Sequence, residues 1–336
     1  MNQKKQSLLK RLLAIKGMGG ALTAFVGLVI IYIAFGIINP TVFSGQNVTN
    51  LLRSMSKYLI IGIGQSYTLI TGNIDLSMGS VVAMSAMISA TLMAAGVNPW
   101  LAILIAFVSC MLIGVVNGVL VGKCQLPPFI ATLGTMFAAR GVAYMVNGNR
   151  NTDAIASGIP KEQADAFQNI FYYGKTLGIY NTFWIAIILF AIFFFVLSKT
   201  RTGRHIYAIG SNVDAAKLSG VSVFATTTKT YLVSAFCSFI VGLILCGQAG
   251  MGNMEAGNMY EMYGVAAGVI GGVSPLGGTG ILLGTLAGAA VWQTLENGLN
   301  MIGAQVGIQR LVIGVIVVFA VLLDVVVRNG MFKKKK

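Results

Sequence analysis

Charged residues are scarce in this sequence, and acidic ones are the scarcest. Of 336 residues only 10% are charged, with 9 Asp and Glu against 23 Lys and Arg, whereas soluble domains are about one-quarter charged. This shortage excludes an ordinary soluble domain, because too few charged side chains remain to cover a solvated surface. The net charge of +14 could suggest nucleic acid, but the charges cluster in loops and no soluble domain is large enough to carry a basic face. We therefore expect no nucleic-acid partner.

Residue types that bind metals or catalyse reactions are equally few. The chain has one histidine, His205, and four cysteines that show no CxxC spacing, so we expect buried core cysteines rather than disulfides or a metal site. Gly174-Lys175-Thr176 resembles part of a phosphate loop, but the glycine needed five positions earlier is Asn169. With no plausible nucleophile, metal set or acid–base pair, we expect no enzymatic activity and no cofactor in this chain.

Long apolar segments fill most of the chain instead. It is 56% hydrophobic with a mean hydropathy of +0.81, and a stretch of about 20 apolar residues can cross a bilayer as a helix. We predict an all-α, polytopic membrane protein with one transmembrane domain over residues 1–336 and about ten transmembrane helices. The seven segments most easily delimited are residues 18–38, 54–71, 80–96, 100–121, 128–147, 183–197 and 226–246.

The distribution of basic residues predicts the orientation. If both termini are cytoplasmic, 16 of the 23 Lys and Arg fall inside, as the positive-inside rule requires. The cytoplasmic segments are then the N-tail 1–17, the loop 199–222 and the basic C-tail 328–336, and the polar stretch 148–180 is periplasmic.

An aspartate interrupts the apolar sequence between the second and third segments. Asp75 lies in GNIDLSMGS with apolar runs on both sides, where a carboxylate facing lipid would cost about 2.5 to 3.5 kcal/mol. Two interpretations stay open. Either a broken helix borders a translocation path, or Asn73 or Asp75 caps a helix near the cytoplasmic surface. For the path we expect these side chains as lining: Asn73, Asp75, Ser77, Asn253, Glu255 and Ser274.

Two further patterns concern helix packing. Arg140 lies within the fifth segment near its outer end, and we expect it to snorkel towards the surface. Glycines at four-residue spacing give a helix a smooth face for a close neighbour. We predict two such packing faces, formed by Gly114, Gly118 and Gly122 and by Gly280, Gly284 and Gly288.

The loop 199–222 contains residues that favour the start and the end of a short helix. It reads KTRTGRHIYAIGSNVDAAKLSGV up to residue 221. Ser211 or Asn212 can cap a helix start, Asp214 suits the positive end of the macrodipole, and Gly220 can adopt the left-handed conformation after the last turn. A short capped helix in a basic loop favours a docking surface over a plain connector.

Four ordered blocks give the sequence a resemblance to a known family. GNIDLSMGS, PPFIATLGT, TGRHIYAIGSNVDAAKLSGVSV and YEM…AAGVIGGVSPLGGTG resemble the carbohydrate permeases of bacterial ABC importers, the ribose and galactose type. One position departs, because that family usually has an aspartate where Tyr263 stands. The resemblance implies a location in the cytoplasmic (inner) membrane of a bacterium and import of a pentose or hexose. It also implies two permease copies around the path, a periplasmic sugar-binding protein, and a separate ATP-binding subunit that binds ATP and Mg. Its docking residues would be Asn212, Asp214, Ala215, Ala216, Lys217, Ser219 and Gly220.

An internal repeat supports this architecture independently. Asn117-Gly118 and Gly134 recur 180 positions later as Asn297-Gly298 and Gly314. With five spans in each half, the halves would be oppositely oriented, as in transporters built from inverted repeats. We expect the chain breaks at 72–79 and 271–280 to form the corresponding pair.

The main alternative is an ion-coupled secondary transporter of a small polar solute. Such a protein needs titratable residues within its spans, and Asp75, Glu296 and Asp324 are the candidates. Asp324 pairs naturally with Arg328 four positions later on a helix, and Glu296 lies towards the outer end of its span.

The predicted orientation can be tested by cysteine labelling on a cysteine-free background. A cysteine at Asn169 should react with an impermeant thiol reagent added from the periplasm, and one at Ser211 only with reagent added from the cytoplasm. Equal reactivity of both positions from one side would overturn the orientation.

Overall fold

The computed structural model describes residues 18–305, 307–309, 311–312, 314–315, 318 and 322. The predicted N-tail 1–17, the C-tail 328–336 and the Asp324–Arg328 pair lie outside the described residues. Twelve α-helices are seen in the described part. They are α1 (Met18–Ile38), α2 (Gly45–Ile70), α3 (Met78–Ala94), α4 (Pro99–Gly122), α5 (Pro128–Met145), α6 (Lys161–Gln168), α7 (Asn181–Lys199), α8 (Arg201–Ser211), α9 (Val213–Leu218), α10 (Val223–Ala249), α11 (Tyr260–Ile270) and α12 (Leu282–Met301).

Four of these helices are long and apolar enough to cross a membrane. They are α1, α4, α7 and α10, and α3 is a shorter apolar helix of 17 residues. α1, α4 and α7 expose most of their apolar side chains, whereas most of α10 is buried. This is the pattern of lipid-facing helices around an inner helix, and it agrees with the predicted all-α membrane class.

Helix α2 begins earlier than the sequence suggested. It starts at Gly45 rather than near residue 54, because Ser44 caps it: the Ser44 hydroxyl accepts a hydrogen bond from the Asn47 amide at 3.2 Å. Its first three turns are more polar than the rest, so hydropathy alone missed them.

The buried core is formed by α2, α3 and α10. Residues 58–70 of α2 are continuously buried, and α10 packs against α2, α3 and α4. Hydroxyls connect the core helices to one another and to α12. The Ser85 hydroxyl of α3 donates to the Phe239 carbonyl of α10 at 2.8 Å, and the Ser66 hydroxyl of α2 lies 2.7 Å from the Thr285 hydroxyl of α12. Small and hydroxyl-bearing residues of this kind let membrane helices approach closely.

The first glycine series lies against α10. A Cβ at Gly114 would be 2.9 Å from the Ala235 Cβ, one at Gly118 would be 2.7 Å from the Thr228 Cα, and one at Gly122 would be 3.2 Å from the Phe224 Cα. Helices α4 and α10 therefore pack antiparallel at a distance that only glycine permits at Gly118.

The second glycine series is split. Gly284 and Gly288 of α12 lie directly against the backbone of Gly271 and Ala267 at the end of α11. Gly280 is not part of this helix face, because α12 begins at Leu282 and Gly280 has φ +130° in the preceding turn, packed on Val273. The prediction of a three-glycine helix face was wrong at this position.

The polar stretch 148–180 is folded rather than open. It contains a 3₁₀ turn (Ile155–Ser157), α6, a π-helical turn (Asn169–Tyr173) and a two-stranded hairpin of β1 (Lys175–Thr176) and β2 (Ile179–Tyr180). Arg53 of α2 holds it in place, with its guanidinium 4.5 Å from the Tyr172 ring centre and 4.0 Å from that of Tyr180. Gly174-Lys175-Thr176 thus lies at a hairpin and not at a helix start, as a phosphate loop would require.

The cysteines differ in exposure. Cys110, Cys237 and Cys246 are buried in the core as expected, but Cys124 is exposed between α4 and α5. The expectation of a core residue was therefore wrong for Cys124, which lies just beyond the apolar segment.

The two ends of the bundle are distinguished by their loops. One end of the bundle, which we call the 199–222 end, contains the last residues of α2, α4, α7 and α11 and the first residues of α10 and α12. The other end, the 148–180 end, contains the first residues of α2, α4 and α7 and the last residues of α3, α5, α10 and α12. Contacts such as Gly122 with Phe224 and Gly158 with Ala94 fix these assignments.

Packing of α4 on α10 predicts opposite effects for two Gly→Ala substitutions. Gly118→Ala should destabilise the protein by about 1 to 3 kcal/mol, because its Cβ would overlap the Thr228 backbone. Gly134→Ala on α5 is the matched control, since nothing lies within 4 Å of its Cβ position and alanine favours helix by up to about 1 kcal/mol. Thermal unfolding in detergent measures both. Equal midpoints for the two variants would contradict the close packing.

Candidate translocation site

The chain between α2 and α3 turns back into the bundle. Helix α2 ends at Ile70, residues 71–77 are not helical, and α3 begins at Met78. A Cβ at Gly64 would be 2.8 Å from the Met78 side chain and 3.0 Å from the Ser234 Cα. Because Gly64 precedes the end of α2 by nearly two turns, α3 starts about 9 Å inside the bundle. The break is therefore that of a broken helix and not of a cap at the surface.

Asp75 is fixed by three hydrogen bonds. It is 2% exposed, and its Oδ1 accepts from the Ser77 amide at 2.9 Å and from the Ser77 hydroxyl at 2.6 Å. Its Oδ2 accepts from the Ser234 hydroxyl of α10 at 2.6 Å. The bond two residues ahead is the Asx turn that aspartate forms readily. Both carboxylate oxygens are thus occupied by protein donors.

The network extends beyond Asp75 to two more helices. The Asn117 side-chain nitrogen Nδ2 donates to the Ser77 hydroxyl at 3.0 Å, and the Thr135 hydroxyl donates to the Asn117 side-chain oxygen Oδ1 at 2.7 Å. The network therefore connects the break to α4, α5 and α10. Ser77, not Asn73 or Asp75, is the N-cap residue of α3. The Asn73 side-chain nitrogen Nδ2 instead donates to the Thr71 hydroxyl at 3.0 Å. A fully bonded buried network of this kind specifies one arrangement.

A second break precedes α11. Helix α10 ends at Ala249 and is followed by Gly250, which is left-handed with φ +66°; α11 begins after Met259, a non-glycine residue with φ +67°. We call the intervening residues 251–259 the strap. Helix α11 has only 11 residues and starts beside the middle of α2, where the rings of Tyr260 and Tyr58 lie 6.1 Å apart. Like α3, it begins inside the bundle.

The starts of α3 and α11 meet. A Cβ on Gly79 would overlap the Gly257 carbonyl and the Glu261 carboxylate, and a Cβ on Gly257 would be 2.6 Å from the Gly79 carbonyl. From this contact the two helices run towards opposite ends of the bundle. Their positive dipole ends face the same region, an arrangement that attracts anionic or polar groups. The Glu261 carboxylate lies in this region, beside the start of α3. Sequence reasoning did not select Glu261, although a Tyr-Glu pair after a glycine-rich stretch signals a helix start.

Side chains of α5 hold the strap. An Arg140 guanidinium nitrogen donates to the Met254 carbonyl at 2.8 Å and to the Ala256 carbonyl at 3.0 Å. The Tyr144 hydroxyl donates to the Glu255 carboxylate. The expectation that Arg140 snorkels to the surface was therefore wrong, because carbonyls left unpaired by the non-helical strap lie closer to its guanidinium than solvent does.

The six predicted lining residues lie in separate places. Asn253 and Glu255 are in the strap and line a cavity of about 530 Å³ at the 148–180 end. Asp75 and Ser77 belong to the buried network, and Asn73 lies in the turn after α2. Ser274 lies in the turn between α11 and α12, where its hydroxyl accepts from the Leu276 amide at 3.1 Å.

Both turns at the 199–222 end touch α8. The Gly278 amide donates to the Ile70 carbonyl at 2.8 Å, and the Tyr207 hydroxyl of α8 donates to the Gly280 carbonyl at 2.6 Å. A Cβ on Gly210 would overlap the Ile70 carbonyl and lie 2.5 Å from the Gly278 amide nitrogen. Helix α8 was not predicted, because its mixture of Arg, Gly, His and Tyr has little apolar signal. It places the loop in direct contact with the ends of α2 and α11.

Helix α9 has the capping residues that the sequence predicts at its start and after its end. The Asn212 side-chain oxygen Oδ1 accepts from the Ala215 backbone amide at 2.9 Å, Gly220 is left-handed with φ +79°, and the Lys217 ammonium lies 3.7 Å from the Asp214 carboxylate. Leu218 is 91% exposed, whereas Ala216 is 4% exposed. The expectation that Ala216 faces a partner was wrong, because it packs inside its own chain. The exposed residues of α9 are Val213, Asp214, Ala215, Lys217 and Leu218.

Comparison with known proteins identifies the family. The family described as branched-chain amino acid transport system / permease component matches residues 47–321. The ribose import permease protein of Haemophilus influenzae is 36% identical over 90% of this chain and 92% of its own length. The chain belongs to this permease family. The D-allose transport system permease protein of Escherichia coli is 32% identical over 88% of this chain and 89% of its own. The galactose/methyl galactoside import permease protein of Salmonella typhimurium is 34% identical, over 85% and 88%. No solved structure matches significantly.

The buried network of the permease predicts how Asp75 substitutions behave. Asp75→Asn keeps one oxygen for Ser77 and can donate to the Ser234 hydroxyl, so it should retain most stability and transport. Asp75→Leu leaves the Ser77 amide and both hydroxyls without their acceptor, at about 1 to 3 kcal/mol for each stranded group. Thermal unfolding and solute uptake at equal membrane abundance measure the difference. Losses with Asn as large as those with Leu would show instead that the charge itself is required.

Proposed function

We propose that this chain is the permease subunit of an ABC importer that moves a monosaccharide, a pentose or hexose, across the cytoplasmic membrane. The observation that carries the substrate class is the set of relatives named as ribose, allose and galactose permeases, matched over nearly their whole length. The chain does no chemistry on the sugar. ATP and Mg bind to a separate subunit, which supplies the energy.

The architecture we propose is a single transmembrane domain of about ten spans in two inverted repeats. The 180-residue offset between the Asn-Gly pairs supports this, because it maps α2 onto residues 225–250, where α10 lies, and α4 onto 279–302, where α12 lies. It also maps the break 71–77 onto 251–257. The strap, and not the turn at 271–280, is therefore the counterpart of the first break.

The coupling mechanism rests on the loop 199–222. Its helix α9 presents an exposed face to an ATP-binding subunit, and α8 behind it is bonded to the turns that end α2 and α11. A displacement of α9 would thus reach both broken helices through backbone contacts. ATP binding and hydrolysis would bias a two-state arrangement of these helices, giving alternating access.

The proposed assembly has three kinds of protein component. Two copies of this permease enclose the path in the lipid bilayer, two ATP-binding subunits dock on the cytoplasmic loops, and a periplasmic sugar-binding protein delivers the solute. The 199–222 end is then cytoplasmic, with both termini, and the 148–180 end is periplasmic. The basic loop at the former end and the folded 148–180 stretch at the latter support this orientation.

Ion coupling has less support. Asp75 has both oxygens occupied by donors, and the Glu296 carboxylate accepts from the Tyr58 hydroxyl at 2.7 Å. A carboxylate that carries an ion through the membrane needs access to water or to a free coordination position.

Leu218 gives the sharpest test of coupling. Because it is 91% exposed on α9, Leu218→Asp should leave folding unchanged but reduce copurification with the ATPase subunit and reduce sugar uptake by about tenfold or more, as expected when a buried apolar contact becomes a charge. The matched control is Leu177→Asp, since Leu177 is 86% exposed in the hairpin at the opposite end. It should bind the ATPase normally. Normal ATPase binding and uptake by Leu218→Asp would remove α9 from the proposed interface.

A further inference from the structure

The cavity at the 148–180 end combines polar groups that the fold leaves unused. It has a volume of about 530 Å³ and lies between α2, the end of α10 and the strap, within the range of about 300 to 1,000 Å³ typical of small-molecule sites. The lining side chains that matter are Lys57, Gln248, Asn253, Glu255, Asn258 and Tyr260.

Gln248 has an unpartnered amide. Its Oε1 is buried and has no hydrogen-bond partner, and its Nε2 makes no bond to any residue that the structure describes. Only its backbone carbonyl is used, by the Tyr173 hydroxyl at 2.9 Å. Leaving such a group unpaired costs about 1 to 3 kcal/mol, so a ligand that satisfies it would recover that free energy.

The Lys57 ammonium is the second lining group without a bond in the described part of the chain. Lys57 is half-buried in the middle of α2, and within residues 18–305 its ammonium forms no hydrogen bond and no ion pair. Among the groups whose fields reach it, Glu296 carries the opposite charge and Arg53 the same charge. The ammonium is a donor only, so a ligand there needs to accept a hydrogen bond.

The strap supplies the remaining polar groups. The Asn253 oxygen accepts from the Glu255 amide at 2.8 Å, which leaves the Asn253 amide nitrogen as a donor. Asn258 has no side-chain hydrogen bond to the described part of the chain. Glu255 is already engaged by Tyr144, so it is a weak candidate for binding a cation. The Tyr260 ring adds an apolar face.

We propose that this cavity is a binding subsite for a neutral monosaccharide, with Lys57, Gln248 and Asn258 as hydroxyl-recognising residues and Tyr260 packing on the sugar ring. A solute with several hydroxyls matches a lining that has both spare donors and spare acceptors, since each hydroxyl is both. The inference rests on the proposed import function and identifies where on this chain the solute would bind.

Thiol protection tests occupancy without the ATPase. Ala249 lines the cavity but has no proposed polar role, so an Ala249→Cys variant in a cysteine-free permease reports access to it. Ribose or galactose at about one to nine times its Kd should slow its modification by a charged thiol reagent about two- to tenfold, because the unoccupied fraction of the site falls by a factor of one plus the ratio of the sugar concentration to Kd. Gln163→Cys, on the exposed face of α6 beside a separate pocket, is the matched control and should react at an unchanged rate.

Substitutions in the lining complete the test. Lys57→Met and Gln248→Leu, each combined with Ala249→Cys, should abolish protection, and Gln163→Leu should not. Unchanged thermal unfolding midpoints would show that the lining variants are folded. For any that fail to fold, Lys57→Arg and Gln248→Asn, which keep a polar group, replace them and should show weaker protection than wild type.

The possible results separate this proposal from the proposed function. Absence of protection by both sugars, or protection by leucine instead, overturns the subsite. Sugar import by the complete transporter without protection of Ala249→Cys overturns the subsite alone. Protection without import by the complete transporter supports the subsite and overturns the import function.

Discussion

The contact between Gly79 and Gly257 is the constraint on which the rest of the structure depends. Two helices begin inside the bundle at this point, and each leaves a first turn of amide groups without helical partners. Within a membrane such groups must be satisfied by protein, because lipid offers no hydrogen bonds. The two starts can approach only because neither glycine has a Cβ. The Glu261 carboxylate lies at the same point and provides an acceptor at the positive ends of both helices.

The two breaks are stabilised by different means, and this difference has a mechanical meaning. Residues 71–77 are held by a closed network of side chains from three helices, in which Asp75 has both oxygens occupied. The strap is held by Arg140 and Tyr144 of α5 and by the side chains of residues 151 and 152, which accept from its backbone amides. It contains glycines at 252 and 257 and a left-handed Met259. Because glycine has more backbone freedom than other residues, the strap is the break better suited to move.

Much of the fold followed from sequence because the membrane imposes simple rules on composition. Apolar segment length gave the end of α1 at Ile38, and the Asn212 cap and Gly220 gave α9. The errors occurred where local pattern does not carry the information. Helix α8 is short and polar, and the direction of Ala216 depends on what lies behind α9. Arg140 found carbonyl partners more than a hundred residues away, which no local pattern reveals.

The candidate site was the least predictable part, for the same reason. Asn253 and Glu255 were chosen for polarity in an otherwise apolar chain, but their contribution depends on the strap being non-helical and on α5 lying beside it. Glycine content paired the first break with 271–280, whereas the 180-residue offset of the Asn-Gly pairs matches the first break to 251–257. The offset is the better guide because Asn117 and Asn297 both bond across helix contacts, with Ser77 and Asn47 respectively. A residue that fixes a helix contact constrains the register of its repeat, and a flexible glycine turn does not.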